Sequence, residues 1–195
     1  MQQSGLGFDA PARTAAHNLF FALWPDEAVR MQVEARAKAL EGHHHPRGRL
    51  LNPARYHLTL QFLGEHADVP SQLIEDVVNA AGRVSAPAFD LSLDQAGSFH
   101  NVWWLGSAEP PQGLQALWQA LGTELMHARV KVASSGKLTP HVTVVRDAAA
   151  RLPLTPAFLK FSPPIPWRVR EFVLIDSQPP GPYTILHRWP LPDAE

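Results

Sequence analysis

Cysteine is absent from this 195-residue chain. That excludes disulfides, thiolate-bound zinc and cysteine nucleophiles together. No run of about 18 apolar residues occurs, the length a membrane-crossing helix needs. The first 17 residues lack the apolar core of a secretion signal; they are expected to be a flexible extension ahead of one domain over 18–195. A net charge of −1 gives no global basic surplus. These absences predict a cytoplasmic protein without a membrane segment; with 45% hydrophobic and 18% charged residues the chain is expected to be globular, and a monomer is expected.

Acidic residues are scarce locally. The windows 42–64 and 125–146 contain no Asp or Glu, yet hold Arg47, Arg49, Arg55, Arg129, Lys131, Lys137 and Arg146 of the 17 basic residues. Positive potential of this kind suits an anionic ligand.

Two residue types are plentiful, with 19 prolines and 10 histidines. Proline at about twice its usual share of roughly 5% points to loops and strand edges. Residues 18–23 read as a short buried strand. Asp26 and Glu27 open a helix to about Leu40, which Gly42 is expected to end. A loop follows through His43-His44-His45-Pro46 and Asn52-Pro53, then a strand over 57–63 closed by Gly64. Helical periodicity covers 72–84, behind Pro70, and 114–127. Strands are expected at 88–98, 102–105 and, after the Ser134-Ser135-Gly136 loop, 141–145. A Pro-rich passage precedes strands at 169–176 and 183–188. About seven strands and three helices place the chain in the α+β class. Strand, helix, loop and strand from Asn18 to Leu63 are echoed from Val102 to Val145, which predicts two similar halves facing a shared cleft.

Both copies close on the same tetrapeptide pattern. His57-Leu58-Thr59-Leu60 and His141-Val142-Thr143-Val144 are each His-apolar-Thr-apolar. Chance would supply about 0.07 such matches in a chain of this composition. In a strand, alternate residues share a face, so each segment presents an imidazole and a hydroxyl on one side and anchors itself by the other. Two imidazoles flanking a phosphorus supply what opening a cyclic phosphate requires. A neutral one takes a proton from the attacking water, and a protonated one gives a proton to the leaving oxygen. Both forms are accessible because histidine titrates near neutrality. The hydroxyls of Thr59 and Thr143 can hold the non-bridging oxygens. No metal or other cofactor is needed, and spacing leaves either histidine in either role.

These paired motifs resemble those of the 2H phosphoesterase superfamily, in particular its RNA 2′,3′-cyclic phosphodiesterase branch of the LigT or ThpR type, once called 2′-5′ RNA ligases. The resemblance runs from about Asn18 to Leu191. It extends to Leu19-Phe20-Phe21-Ala22-Leu23, Phe62-Leu63-Gly64, Val102-Trp103-Trp104-Leu105-Gly106, Pro140, Arg146 and Tyr183-Thr184-Ile185-Leu186. It implies a bilobal fold of two pseudo-symmetric lobes, each an antiparallel sheet with outer helices, around a V-shaped central cleft. It further implies hydrolysis of a 2′,3′-cyclic phosphate on RNA ends or nucleosides to a 2′-phosphate. His57 would protonate the leaving O3′, His141 would activate water, and Thr59 and Thr143 would bind the phosphate. Gln61 stands where many relatives have lysine, which weakens a phosphate or ribose contact, and the N-terminal extension is longer than usual.

Further candidates surround this set. Arg146, two positions beyond the second motif, is expected on the face of Thr143, within reach of a substrate phosphate. Phe62, Tyr183, Trp103 and Trp104 are candidates for base stacking, and Arg47-Gly48-Arg49 for contact with an RNA backbone. His43-His44-His45 has no carboxylate nearby and is not read as a metal site; His17, His66, His100, His127 and His187 are read as structural or exposed. Competing functions are joining or cleaving 2′-5′ linkages, opening ADP-ribose 1″,2″-cyclic phosphate, and non-catalytic binding of RNA ends. The last fits poorly, because simple phosphate capture is better served by arginine forks.

Overall fold

A strand with an unbroken apolar run has no face for water, and the first strand has none. In β1 (His17–Leu23), Leu19, Phe21 and Leu23 enter the main core, while Phe20 and Ala22 enter a second cluster with Val173 and Ile175. Burial on both faces requires a neighbour on each side and a cover above and below. Accordingly β1 lies between β3 (Leu58–His66) and β8 (Glu171–Ser177), antiparallel to both. The computed structural model describes residues 16–133, 137–149 and 160–193. Residues 1–15 of the expected extension, the Ser134-Ser135-Gly136 loop and part of the Pro-rich passage lie outside the described residues; His17 already belongs to β1.

The remaining strands are β2 (Arg49–Leu50), β4 (Phe89–Phe99), β5 (Val102–Gly106), β6 (His141–Arg146), β7 (Lys160–Val169) and β9 (Tyr183–Pro190). The helices are α1 (Glu27–His44), α2 (Ser71–Ala81) and α3 (Gln112–His127). Strand order is β7-β4-β5-β6-β3-β1-β8-β9, with β2 against β6. The two strand–helix–strand copies thus place their closing strands, β3 and β6, side by side at the middle. Each heads an antiparallel four-stranded half. The halves share one pair of Cα partners, Leu58 and Val142. Away from it β3 and β6 bond to other segments, through Ala133 N–H to Phe62 O at 2.7 Å and Leu51 N–H to Val144 O at 2.9 Å. The helices reach across: α1 packs on β6 and β7, and α3 on β3, β4 and α2. The architecture is α+β, as the sequence predicts.

Most element ends fall within two residues of the sequence reading, but some differences are larger, and two short or proline-rich segments, β2 and β7, are strands it did not expect. Helix α1 begins as expected, with the Asp26 carboxylate accepting from Val29 N–H at 2.9 Å. It passes through Gly42 and ends at His45, whose φ of 44° is left-handed and whose N–H donates to Glu41 O at 2.8 Å. Pro46 sets this end, because the residue before proline is sterically kept out of the α region. His43 and His44 therefore form the last helical turn, not a loop.

Helix α2 stops at Ala81, three residues short of the expected end. Gly64 does not close β3; it lies within it at φ +110°, beside a bulge. The Pro-rich passage contains an unexpected strand, β7, in which Ile165, Trp167 and Val169 are buried. Pro163, Pro164 and Pro166 are tolerated there because β7 is an edge strand, paired with β4 alone.

One buried cation ties α1 to the segment that delivers the first motif. Arg30 is 8% exposed. Its Nε donates to Pro25 O at 2.9 Å and its Nη1 to Pro53 O at 2.8 Å, with the guanidinium 4.3 Å from the Trp24 ring. The 3-10 turn Pro53–Arg55 that follows leads directly into His57.

Candidate active site

Leu58 and Val142 are partners across the middle of the sheet, and both are fully buried. Residues on either side of each must then point to the opposite face. Antiparallel register about this pair sets His57 level with Thr143, and Thr59 level with His141. The four side chains are related by a local two-fold axis, with the imidazoles on one diagonal. Diagonal neighbours in an antiparallel pair stand about 7–8 Å apart at their Cα atoms, which leaves room for a tetrahedral phosphate between the rings.

Both imidazoles are oriented in the same way. His57 Nδ1–H donates to Arg55 O at 2.8 Å, and His141 Nδ1–H to Thr139 O at 2.7 Å. A carbonyl only accepts, so Nδ1 keeps its proton and Nε2 is the atom left to exchange one. Each ring is also walled by aromatics. Phe20 and Tyr183 lie 4.9 and 5.3 Å from the His57 ring, and Phe99 and Trp104 lie 5.1 and 6.3 Å from that of His141. Arg55 adds a brace: its guanidinium sits 4.1 Å over Tyr183 and donates to Gly181 O at 3.0 Å.

Burial pushes the pKa of His57 down from 6.5 to about 4; the bond to Arg55 O opposes this, and the charges of His141, Arg146 and Arg55 add to it. His141 is lowered as well, by burial first and then by Arg146, against its own bond to Thr139 O. Because the folded pKa of His57 lies below the unfolded one, its neutral ring favours folding above pH 6.5, and that contribution is lost as pH falls toward about 4. The urea midpoint is therefore expected to drop between about pH 7 and about pH 4.5, and less so in His57→Gln. An identical drop in the variant would show that His57 plays no part in it.

The first motif opens on a cleft of about 750 Å³ whose wall includes His57, Thr59, Phe62, Tyr183, Arg49, Arg55 and Arg146 and, among the described residues, no carboxylate. Asn18, Phe20, Asn52 and Ser177 complete its polar and aromatic lining. His141 and Thr143 are not in that wall; they are half-buried on the same face of the neighbouring strand β6. Phe20 was not legible as a site residue because both faces of β1 are apolar. Arg55 lay within the first acid-free window.

Two matching bulges decide which residues past each motif reach the cleft. In β3 the partners of Ala22 and Phe21 are Thr59 and Gln61, so Leu60 is an extra residue. In β6 the partners of Trp104 and Trp103 are Thr143 and Val145, so Val144 is extra. Each bulge turns two successive residues inward: Leu60 with Gln61, and Val144 with Val145, all buried. Alternation then resumes one residue late, which brings Phe62 and Arg146 to the cleft.

Strict alternation from Thr143 would have carried Val145 there and Arg146 to the other side; Arg146 reaches its expected place through the bulge. Gln61 is corrected outright. It is buried, its amide donating to Trp118 O of α3 at 3.2 Å, and it does not line the cleft.

Other candidates are sorted by burial. Trp103 is 1% exposed in the main core beside the His44 ring, so it cannot stack on a base. Tyr183 is in the cleft wall; Trp104 lies near His141. Among the described residues no group of three His, Cys, Asp or Glu is placed to hold a metal, the His43-His44-His45 tract included. His17 is structural, its Nδ1 2.8 Å from Asp176 Oδ2. Of the Arg47-Gly48-Arg49 segment, Arg49 lines the cleft and pairs with Asp147 at 3.6 Å.

Known proteins resemble this chain in sequence and in fold. The model of the 2′-5′ RNA ligase superfamily matches residues 25–180. The RNA 2′,3′-cyclic phosphodiesterase of Escherichia coli K12 is 34% identical over 180 residues, covering 89% of this chain and 96% of that protein. The crystal structure of E. coli LigT in apo form superposes with a TM-score of 0.73 at 32% identity, over 92% of this chain and 99% of that one. TT0787 of Thermus thermophilus gives 0.67 at 25% identity, over 91% and 100%. No helix among the described residues is long and apolar enough to cross a membrane. With two His-x-Thr-x segments side by side on neighbouring antiparallel strands, and with these relatives matched over nearly their whole length, the chain belongs to the 2′-5′ RNA ligase superfamily.

Proposed function

We propose that this protein is an RNA 2′,3′-cyclic phosphodiesterase that opens the cyclic end to a 2′-phosphate by metal-independent transfer of protons between His57 and His141. The observation that carries the reading is the register of Leu58 with Val142, which sets two identically oriented imidazoles on a diagonal with a threonine beside each. A phosphorus between the two Nε2 atoms can be attacked on one side and vacated on the other, in line. Thr59 and Thr143 hold the non-bridging oxygens, and Arg146 neutralises their charge. Phe62 and Tyr183 line the space open to the nucleoside.

The division of labour has a physical basis in burial and in the surrounding charge. Burial first, and then the charges of His141, Arg146 and Arg55, hold the pKa of His57 down to about 4. Once protonated it gives up its proton readily, which suits the donor to O3′; His141 is then the base that takes a proton from water. Before substrate binds, both rings are mainly neutral at pH 7. The phosphodiester anion brings the negative charge that raises the proton affinity of the donor, so substrate and proton arrive together. Retention of phosphorus on O2′ accords with the 2′-5′ linkage for which the superfamily is named. The crystal structure of E. coli LigT complexed with 3′-AMP shows a relative holding a nucleotide. One chain supplies both histidines and both threonines, so the reading is of a monomer, acting on RNA ends in cytoplasmic RNA processing.

The test is hydrolysis of a nucleoside 2′,3′-cyclic phosphate in excess EDTA, followed by phosphorus NMR. The expected product is the 2′-phosphate alone, at a rate the chelator does not change. A 3′-phosphate product overturns the regiochemistry, and loss of turnover with EDTA overturns the metal-independent mechanism. A second reading, in which a hydroxyl of another nucleoside replaces water and a 2′-5′ linkage is made or broken, is favoured by the superfamily description.

A further inference from the structure

The two halves present different surfaces beside their histidines. On the His57 side the sheet face carries Phe20, Ala22, Val173 and Ile175, with Trp24, Phe62, Tyr183 and Ile185 packed against them, and Phe20, Phe62 and Tyr183 of this group form part of the cleft wall. On the His141 side the equivalent face is floored by glycine. Gly97 and Gly106 are register partners of Trp104 and His141, and a Cβ at either position would collide with the Trp104 indole. The indole therefore lies flat across β4 and β5. Phe99 stacks on it, ring centroids 5.2 Å apart and planes 28° from parallel, and keeps 38% of its surface exposed. Phe99 ends β4 at a tight hairpin in which His100 has a φ of 46°, which holds the ring at the rim. Both rings meet the His141 imidazole edge-on.

We infer that Phe99 and Trp104 form a second nucleobase subsite, which holds the base of a nucleoside whose hydroxyl takes the position of the attacking water. The inference rests on the reading of His57 and His141 as the proton-transfer pair. With His57 at the leaving O3′, the ribose that carries the cyclic phosphate and its base belong to the His57 side. The in-line position beside His141 belongs to the nucleophile. Water needs no aromatic floor there, whereas a nucleoside does.

In the joining direction, the 5′-hydroxyl oxygen of the second nucleoside bonds to phosphorus and its proton passes to His141. The P–O3′ bond breaks, and O3′ takes the proton of His57. The product is a 2′-5′ phosphodiester with a free 3′-hydroxyl. The reverse step consumes such a linkage and returns the cyclic phosphate and a 5′-hydroxyl. The ligand class is thus a pair of nucleosides joined 2′ to 5′, one base on each half.

The experiment compares kcat/KM for cleavage of adenylyl-(2′→5′)-adenosine with that for hydrolysis of adenosine 2′,3′-cyclic phosphate, in wild type, Phe99→Ala and Phe99→Tyr. Loss of the stack is expected to lower the dinucleotide value about 5- to 150-fold, and the cyclic mononucleotide value by a markedly smaller factor, with Phe99→Tyr restoring the wild-type ratio. Equal losses on both substrates overturn the inference, since Phe99 would then merely support His141 or hold the first base. A wild-type enzyme that opens the cyclic phosphate but leaves the dinucleotide intact also overturns it.

Dinucleotide binding, followed by tryptophan fluorescence, separates the two readings. If the wild type opens no cyclic phosphate, the proposed function falls. Dinucleotide binding weakened by Phe99→Ala would still support the subsite, and binding unchanged by it would overturn that too.

Discussion

His57→Ala and His141→Ala are each expected to lower kcat for 2′,3′-cyclic nucleotide hydrolysis by about 10²–10⁴, the range that a positioned general acid or base supplies. The double variant should be scarcely slower than either single one. Donor and acceptor act in one in-line event, so removing the first already disables the second, and effects of groups acting as a unit do not add. Steady-state kinetics with the three variants checks this. Multiplied losses in the double variant would mean that the rings act in separate steps. Neither substitution should unfold the protein, because both rings are only half-buried and sit beside the main core rather than within it. Circular dichroism of each variant at pH 7 serves as the control.

Arg146→Gln is expected to lower kcat/KM about 10- to 150-fold, the effect of losing one charge-assisted hydrogen bond to an anion. The same variant should move the pH profile. The Arg146 charge depresses both His57 and His141. Its removal lets both pKa values rise, so the limbs of the kcat/KM profile should shift to higher pH. Arg146→Lys keeps the charge and should leave the limbs in place while losing part of the rate. A profile unmoved in Arg146→Gln would show that the arginine acts on the phosphate alone. The Arg146 side chain is exposed at the end of β6, so melting of the variant should match that of the wild type, which separates this loss from a structural one.

How far each part of the site could be read from the sequence depends on the range of the physics behind it. Alternation along a strand is local, so His57 with Thr59, and His141 with Thr143, could be placed on one face each without knowing the fold. Their opposition could be anticipated from the doubled pattern and the resemblance. The pairing of Leu58 with Val142 that realises it is a contact between residues far apart in sequence. The bulges at Leu60 and Val144 have no residue signature, since bulged positions in a buried strand are as apolar as their neighbours. Without them Gln61 would face the cleft, and Phe62 and Arg146 would not.

Strand β7 was hidden for a related reason. Proline argues against a strand except at an edge, and only strand order reveals an edge. Helix α1 overran Gly42 because an exposed glycine weakens a helix by only about 1 kcal/mol, while Pro46 excludes the α conformation of the residue before it.

The sequence by itself therefore determined the chemistry that two imidazoles and two hydroxyls can perform, the acid-free basic surroundings in which they sit and the α+β class. These follow from residue type, local charge and short-range periodicity. The tertiary structure alone decided which side chains past each motif join the site, which half carries the walled cleft, and which presents an aromatic floor beside His141. Those outcomes turn on strand register and close backbone approach, which arise only when segments distant in sequence pack together.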